Sequence, residues 1–247
     1  MNAPNLLAIT CGHINAPAGF GKSQLIADCL IDHLPDKPVL ILTHTNAGVA
    51  ALRSRLVDAN VSSKAYSLMT LDGWALRLLY SYPMRAGIDP SILEIRKPKQ
   101  DYPAIKQHAR VLLDSRAIDL ILKSSYSRVI VDEYQDCSRD QHAWVTAIAR
   151  LMPAVVLGDP LQTVFDFDGH RLNWQDDVCS AFPEAYALTT PWRWKRAGAP
   201  QLGVWVTQLR QKLEANESIQ LTDLPDGVTH VIPKTPALRR EQQQKEV

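Results

Sequence analysis

Residues 16–23, APAGFGKS, have the composition of a loop that binds phosphate groups. Gly19 and Gly21 allow the backbone to turn its N–H groups towards a polyphosphate. Lys22 supplies a mobile cation for the β and γ oxygens, and Ser23 supplies a hydroxyl group for Mg²⁺. The residues that would act on a nucleotide are therefore present. A turn of small residues before an amphipathic helix fits the same letters, so the interpretation needs support from the rest of the chain.

Two adjacent carboxylates give that support, in VIVDEYQD at 129–136. A strand that delivers Asp132 and Glu133 at its carboxyl end suits a nucleotide hydrolase. The first carboxylate can hold Mg²⁺, directly or through water, and the second can orient and deprotonate the attacking water. A solvated strand end or the acidic start of a helix would contain the same residues. Together with the phosphate loop, the pair favours nucleotide hydrolysis.

Short β-branched apolar runs predict the strands that position these groups. Residues 13–15 are a short candidate, and 38–43, 128–133 and 154–159 predict buried parallel strands that end at polar residues. Sheets of this kind gather their active-site groups at the carboxyl ends of the strands. Segments of helical period separate the runs, so the sequence predicts an α/β fold, a parallel sheet flanked by helices.

Three segments between the strands predict amphipathic helices, at 23–34, 46–56 and 138–151. Their apolar positions would form one buried side each: Leu25, Ile26, Cys29, Leu30 and His33; Val49, Leu52 and Leu56; Trp144, Val145, Ile148 and Leu151. Ser138 and Gln141 have the spacing of a capping box, which predicts that a helix begins directly after the acidic residues.

The bulk properties of the 247-residue chain narrow its class. A hydrophobic content of 46% supports a core, and a net charge of +1 gives no overall signature of nucleic-acid binding, so such a site would be a local patch. The four cysteines fit no zinc or redox spacing and predict buried thiols in a reducing compartment. The sequence has no signal peptide and no apolar run of about 18 residues, so we expect a cytoplasmic protein without a membrane span.

Five stretches, in the same order along the chain, resemble the motif series of UvrD-like superfamily 1 helicases, the UvrD, Rep and PcrA group. They are APAGFGKS, LTHTNAGVAALRSRL, TLDGWALRLL, DEYQD and GDPLQTVFDFDG. The resemblance runs from about residue 14 to 196 and implies the family's first RecA-like lobe, a P-loop NTPase fold. Each stretch alone is a weak match to the family, but five matches in the same order are specific for it. The family's loop commonly begins with alanine, which accounts for Ala16 in place of the first glycine of the general pattern.

The resemblance implies a role for each matching residue of an ATP site. Lys22 would bind phosphate within the loop that contains Ala16, Gly19 and Gly21. Ser23 and Asp132 would serve Mg²⁺, and Glu133 would activate water.

Three further residues match family motifs that contact the γ-phosphate or the adenine ring of ATP. In GDPLQ, Gln162 matches the glutamine that senses the γ-phosphate and couples it to DNA, although a strand followed by a Gly-Asp-Pro turn would contain the same letters. In LTTPWRW, Arg193 matches the arginine that meets the charge developing in the transition state. Trp192 stands where the family has a tyrosine that stacks on adenine. A surface arginine and a core tryptophan are the competing interpretations.

The resemblance also implies a path for single-stranded DNA across the tops of the strands. Phe165 and Phe167 match two aromatic residues that stack on bases, with ordinary core phenylalanines as the alternative. Asn46 matches a backbone contact, and His44 replaces a phenylalanine that forms a pocket, unless it is a structural histidine. Trp74 matches the aromatic residue of the next motif.

Two features depart from the family pattern. Asp72 stands in place of a histidine and Asp168 in place of an arginine, and a carboxylate repels DNA phosphate, so the DNA path is expected to be weaker or differently shaped. The glutamine motif L-N-x-x-Q, which reads adenine in the family, is absent upstream of the loop.

The domain prediction follows from these assignments. Residues 1–200 would form the ATP-binding lobe, with a mostly helical insertion at 83–127 that opens with a basic, proline-broken segment. Residues 201–247 would form a connecting helix and the start of a second lobe or a tail, and 227–233 offer a strand. A protein partner could supply the second RecA-like lobe, and the chain alone is expected to hydrolyse ATP slowly at best.

The sequence therefore predicts the ATP-binding lobe of a UvrD-like helicase or translocase. One alternative is a nucleotide-dependent protein-interaction module, or a regulatory subunit of a phage or defence complex, without helicase activity. A P-loop kinase is a second alternative, against which the DEYQD and GDPLQ pair argues.

Overall fold

The chain divides into two units, Met1–Thr190 and Pro191–Val247. The structure, a computed structural model, describes residues 4–31, 33, 35–162, 172–220 and 224–231. Within these residues, no helix is both long enough and apolar enough to cross a membrane.

The first unit is built on a six-stranded sheet whose neighbouring strands are all parallel. The strands are β1 (Cys11–Asn15), β2 (Val39–Thr43), β3 (Tyr66–Thr70), β4 (Arg128–Val131), β5 (Ala154–Gly158) and β6 (Glu184–Ala187). Their order in the sheet is β3-β2-β4-β5-β1-β6. The four central strands are the four that the apolar runs predicted, and the sheet fits the predicted α/β fold of the RecA-like P-loop class.

The two outer strands, β3 and β6, were not predicted. In β3 only the middle residue is buried, and β6 has no buried residue. An edge strand covered on fewer sides does not need a continuous apolar run, so the signal that identified the central strands is missing.

The helices of the first unit follow the strands in the alternation expected of parallel sheets. They are α1 (Lys22–Asp28), α2 (Asn46–Asp58), α3 (Leu71–Ser81), α4 (Pro83–Ala86), α5 (Pro98–Asp114), α6 (Asp119–Ser125), α7 (Arg139–Ala149) and α8 (Cys179–Ala181). The second unit contains α9 (Trp192–Arg196) and α10 (Pro200–Glu214).

Alternate residues of the central strands supply two separate cores, one on each face of the sheet. In β2, Leu40 and Leu42 pack with α3, α5 and α7, whereas Val39 and Ile41 pack with α1 and α2. All of these side chains are fully buried. Burial of one such side chain contributes about 1.5–3 kcal/mol, so both faces fix the strand in its register.

The capping box that the sequence predicts at the start of α7 is present. Ser138 Oγ accepts a hydrogen bond from the backbone N–H of Gln141, and the Gln141 side chain accepts one from the backbone N–H of Ser138. The helix therefore begins one residue after Ser138, a short distance along the chain from the acidic residues that follow β4. By contrast, α1 is shorter than predicted, because it ends at Asp28 and residues 29–31 form a turn.

Residues 83–127, the proposed insertion, contain helices and no strand. The prolines of the insertion do not break the main helix, however. Pro98 occupies the first turn of α5, where no backbone N–H is needed, and the helix continues past Pro103. In the second unit, the described residues 227–231 form no strand.

Candidate active site

The loop between β1 and α1 has the backbone shape that its glycines predict. Gly19 (φ 79°) and Gly21 (φ 96°) both lie in the left-handed region, which side chains disfavour. Gly21 is also the residue that caps α1. Ala16 is fully buried in the core beneath the loop, and its N–H donates to the carbonyl of Gly158 at 2.8 Å. A methyl group at position 16 therefore fills core space and does not obstruct the loop.

Lys22, the first residue of α1, folds back over this loop. Its side chain is only 7% exposed, and Nζ donates to Glu133 Oε2 at 3.0 Å and to the carbonyl of Ala16 at 3.2 Å. Ser23 is partly buried and follows Lys22 in the first turn. The Lys22 cation therefore lies at the start of a helix. Both the cation and the N–H groups of the helix start attract an anion.

The two acids lie directly beyond the end of β4. The backbone N–H of Asp132 donates to the carbonyl of Leu42 at 2.8 Å, which extends the pairing with β2 by one residue. Glu133 then adopts a left-handed conformation, with φ 55°, and its N–H donates to Asp132 Oδ1 at 3.0 Å. This turn directs the two carboxylates differently: Asp132 is 6% exposed, whereas the Glu133 side chain is 36% exposed.

The environment of Asp132 disfavours its charge. Burial, and after it the charge of Glu133, raise the pKa of Asp132 to about 6, and the Lys22 ammonium and the Glu133 N–H oppose the rise. A buried carboxylate of this kind is stabilised by a bound cation.

A third acid, Asp159, joins the loop to Gln162. It follows β5 and is 2% exposed. Oδ2 accepts hydrogen bonds from Gln162 Nε2 at 2.7 Å and from the backbone N–H of Ala18 at 3.3 Å, and Oδ1 accepts one from the N–H of Leu161 at 3.1 Å. Asp159 was not among the site residues predicted from the sequence. It stands in GDPLQ, so the motif was found but its buried member was missed.

Gln135 is the second residue that the sequence analysis missed. It is 3% exposed; Nε2 donates to Glu133 Oε2 at 2.9 Å, and Oε1 accepts from the backbone N–H of Asp159 at 3.1 Å. A continuous series of hydrogen bonds therefore runs from Lys22 through Glu133, Gln135 and Asp159 to Gln162. These groups come from the carboxyl ends of β4 and β5 and from the loop after β1, three strands that are adjacent in the sheet.

The predicted DNA-contact residues differ in their exposure to solvent. His44 and Asn46 are exposed, just beyond β2, where the Thr45 side chain caps α2. Trp74 is 1% exposed and lies in the core formed with α5 and α7, so its ring offers no face to a base. This burial is contrary to the DNA contact that the motif match implied for Trp74. Phe165 and Phe167, together with Asp168, lie outside the described residues.

Asp72, the departure from the family's histidine, has a structural partner. It lies in the first turn of α3, where an acid is favourable, and its Oδ1 accepts a hydrogen bond from Gln141 Nε2 at 2.8 Å. Gln141, which caps α7, is 2% exposed. Asp72 thus links the start of α3 to the start of α7.

The two residues predicted from the arginine motif lie in the second unit. Trp192 is 47% exposed, and its ring lies 5.6 Å from Lys195 Nζ and 5.9 Å from Arg196 Cζ. These distances are within the range of cation–π attraction. Arg193 is exposed in α9. The indole is therefore a surface group, as stacking on a ligand requires, and is not part of a core.

The residues beside the loop fit a magnesium ion. Asp132 is a buried carboxylate next to the loop, and among the described residues no cluster of three or more acids, histidines or cysteines could hold a metal alone. Mg²⁺ in nucleotide sites takes one or two carboxylates and completes its shell with phosphate oxygens and water. One buried carboxylate and the Ser23 hydroxyl are the protein ligands that such a site needs.

A parallel sheet flanked by helices, with a loop of left-handed glycines before α1, defines an α/β protein of the RecA-like P-loop class. Residues 105–177 match the family model of the UvrD/REP helicase N-terminal domain. This match supports a UvrD-like superfamily 1 helicase N-terminal lobe and confirms the resemblance predicted from the motifs. The family is one of helicase-type ATPases that use a nucleotide, usually with Mg²⁺, and bind DNA. No curated protein matches the chain significantly.

Proposed function

We propose that this chain is the lobe of a UvrD-like single-stranded-DNA translocase or helicase that binds and hydrolyses ATP. The observation that carries the proposal is the hydrogen-bonded series Lys22–Glu133–Gln135–Asp159–Gln162 beside the loop. It joins a phosphate-binding cation, a general base and an amide that can sense phosphate at one edge of the sheet. Directional movement on DNA needs a second lobe that opens and closes against this one.

In this proposal the phosphates enter the loop at the start of α1. The N–H groups around Gly19 and Gly21 cradle them, and Lys22 leaves Glu133 to bind the β and γ oxygens. Ser23 and Asp132 would hold Mg²⁺, which would supply positive charge to neutralise the phosphate oxygens. The buried position of Asp132 fits a ligand whose charge is needed only when the cation is present.

Release of Glu133 from Lys22 prepares it to act as a base. Its carboxylate is partly exposed and can take a proton from a water molecule aligned with the γ-phosphate. Gln162, which is held by Asp159, would report the presence of the γ-phosphate. The family motif is the support for proposing Arg193 as the cation that meets transition-state charge. Trp192 would stack on adenine through its exposed face.

DNA contact is assigned to exposed residues only. His44 and Asn46 lie just beyond β2 at the same edge as the loop and the acids. We retain Phe165 and Phe167 as proposed stacking residues on the strength of the family motif. Trp74 is not proposed for this role, because it is buried.

The experiment is an ATPase assay with and without single-stranded DNA. Lys22→Ala should weaken nucleotide binding, and Glu133→Gln should lower turnover by about 10²- to 10⁴-fold with binding preserved. Lys64→Ala and Glu217→Gln, at two exposed positions, are the matched controls and should behave as wild type. Equal rates in all five proteins would contradict the catalytic assignment.

One observation favours the alternative of a protein-interaction module. The helical insertion exposes two apolar side chains almost completely, Met84 at 92% and Leu120 at 82%. Nucleotide-dependent binding of a protein partner, without stimulation of turnover by DNA, would favour this module over the helicase lobe.

A further inference from the structure

The Glu133 carboxylate receives two hydrogen bonds on the same oxygen. Lys22 Nζ and Gln135 Nε2 both donate to Oε2, at 3.0 and 2.9 Å. Among the described residues, no side chain or backbone group donates to Oε1. The side chain is therefore held by one oxygen, and the other is available to accept a proton.

The two donors differ in what a nucleotide does to them. An ammonium beside a triphosphate is drawn to the phosphate oxygens, since several negative charges compete with the single charge of Glu133. Gln135 is neutral and 3% exposed, and its Oε1 is held by the N–H of Asp159 at 3.1 Å. It therefore keeps its position when Lys22 leaves, and it becomes the donor that holds Glu133.

The walls around Gln135 leave it little freedom. A Cβ atom at Gly158 would lie 2.9 Å from Gln135 Oε1 and 2.6 Å from the ring of Trp174, so the absence of a side chain at 158 makes the space for both. The residue that precedes Gln135 in the sequence, Tyr134, is fully buried. The amide is thus positioned by β5, by Trp174 and by its own turn.

We propose that Gln135 is a positioning residue for ATP hydrolysis, which fixes the Glu133 carboxylate by Oε2 and leaves Oε1 to take the proton from water. This inference rests on the proposed function, because it assumes that Glu133 is the base. It also gives the base a link to the residue that holds Gln162, since the Asp159 backbone contacts Gln135 and the Asp159 side chain contacts Gln162.

The test is a double-mutant cycle on ATP turnover by the full chain, measured at steady state with single-stranded DNA present. Gln135→Met keeps the length of the side chain and removes the amide. We expect kcat to fall on the order of 10- to 100-fold, the effect of a misplaced catalytic group, with KM for ATP unchanged. In the Glu133→Gln background, the same substitution should cause no further fall.

A second variant and a control distinguish a loss of catalysis from a loss of folding. Gln135→Glu has the same length, keeps an acceptor for the Asp159 N–H and loses the donor to Glu133, so it should reproduce the result if Gln135→Met does not fold. Gln141→Met is the control, because Gln141 is equally buried but donates to Asp72. Any loss it causes should be the same with Glu133 or Gln at position 133.

Two outcomes would overturn the inference alone: an equal fall in both backgrounds, or an unchanged kcat in Gln135→Met while Glu133→Gln strongly lowers turnover. Full turnover by Glu133→Gln, or no turnover by the wild type, would overturn the proposed function and the inference with it. The Gln135 variants therefore test the inference, whereas the wild type and Glu133→Gln test the proposed function in the same assay.

Discussion

The Lys22 ammonium lies 3.0 Å from Glu133 Oε2, although 111 positions separate the two residues in the sequence. The pair comes from the start of α1 and the turn after β4, and β5 lies between β4 and β1 in the sheet. In this state the proposed phosphate-binding cation and the proposed base neutralise each other. A nucleotide must therefore compete with Glu133 for Lys22.

This competition predicts the effect of Glu133→Gln on affinity. The neutral amide holds Lys22 less strongly than a carboxylate does, so Mg-ATP should bind at least as tightly as to the wild type. Turnover should fall by about 10²- to 10⁴-fold, as expected when a general base is lost. Equilibrium binding of ATP and an ATPase assay measure the two effects. Binding more than tenfold weaker than that of the wild type, with Glu217→Gln unaffected, would contradict the competition.

The stability of the protein should depend on pH through Asp132. Burial raises the pKa of Asp132 to about 6, whereas an aspartate in the unfolded chain titrates near pH ~3.9. The folded state thus binds this proton more tightly, and the stability gained is fully present below pH ~3.9 and is lost as the pH rises through about 6. The contribution is on the order of 3 kcal/mol.

Urea unfolding at pH 4 and pH 7.5 measures this effect. Asp132→Asn should reduce the loss of unfolding free energy between the two pH values and should be more stable than the wild type at pH 7.5. Asp58→Asn, at an exposed position, is the control and should leave the pH dependence unchanged. The same dependence in Asp132→Asn and wild type would refute the assignment.

Gly158→Ala should destabilise the fold, because its Cβ would lie 2.6 Å from the rigid ring of Trp174. Overpacking of this kind costs about 1–3 kcal/mol. In a Trp174→Leu background the added methyl group has more room, so the same substitution should cost less. Chemical unfolding of the four proteins measures the difference, and an equal cost in both backgrounds would show that the ring is not the obstacle.

The burial of Trp74 predicts a loss of stability rather than a selective loss of DNA binding. Trp74→Ala should reduce the unfolding free energy by about 3–5 kcal/mol. Trp74→Phe should cost less, because the indole Nε1 has no hydrogen-bond partner among the residues that the structure describes. His44→Ala and Asn46→Ala, at exposed positions, should leave thermal stability near that of the wild type and weaken the binding of single-stranded DNA. Normal stability of Trp74→Ala would contradict the assignment to the core.

The sequence allowed the central sheet to be predicted because buried parallel strands have a continuous apolar pattern. Residue types also suggested Lys22, Asp132 and Glu133 as candidates, since a glycine-rich loop and paired acids after a strand suit a nucleotide site. Gln162 was suggested by the family resemblance. Gln135 and Asp159 were not identified, since nothing in a single sequence distinguishes a buried amide from an exposed one. Their role depends on contacts between β4 and β5, which only the folded chain provides.

Trp74 and Asp72 illustrate the limit of a motif. Both occupy positions that contact DNA in the family pattern, yet here one fills a core and the other fastens α3 to α7. A match to a family motif predicts where in the fold a residue lies. The direction of its side chain depends on neighbours such as Gln141, which lie far away in sequence.

The division of β5 between two cores restricts how that strand can vary. Val155 and Leu157 pack on one side of the sheet, and Ala154 and Val156 on the other. Deleting one residue from the strand would exchange the sides, expelling side chains from both interiors together, and would pull Asp159 away from Ala18 and Gln162. Changes of length near this site are therefore confined to the connections between strands.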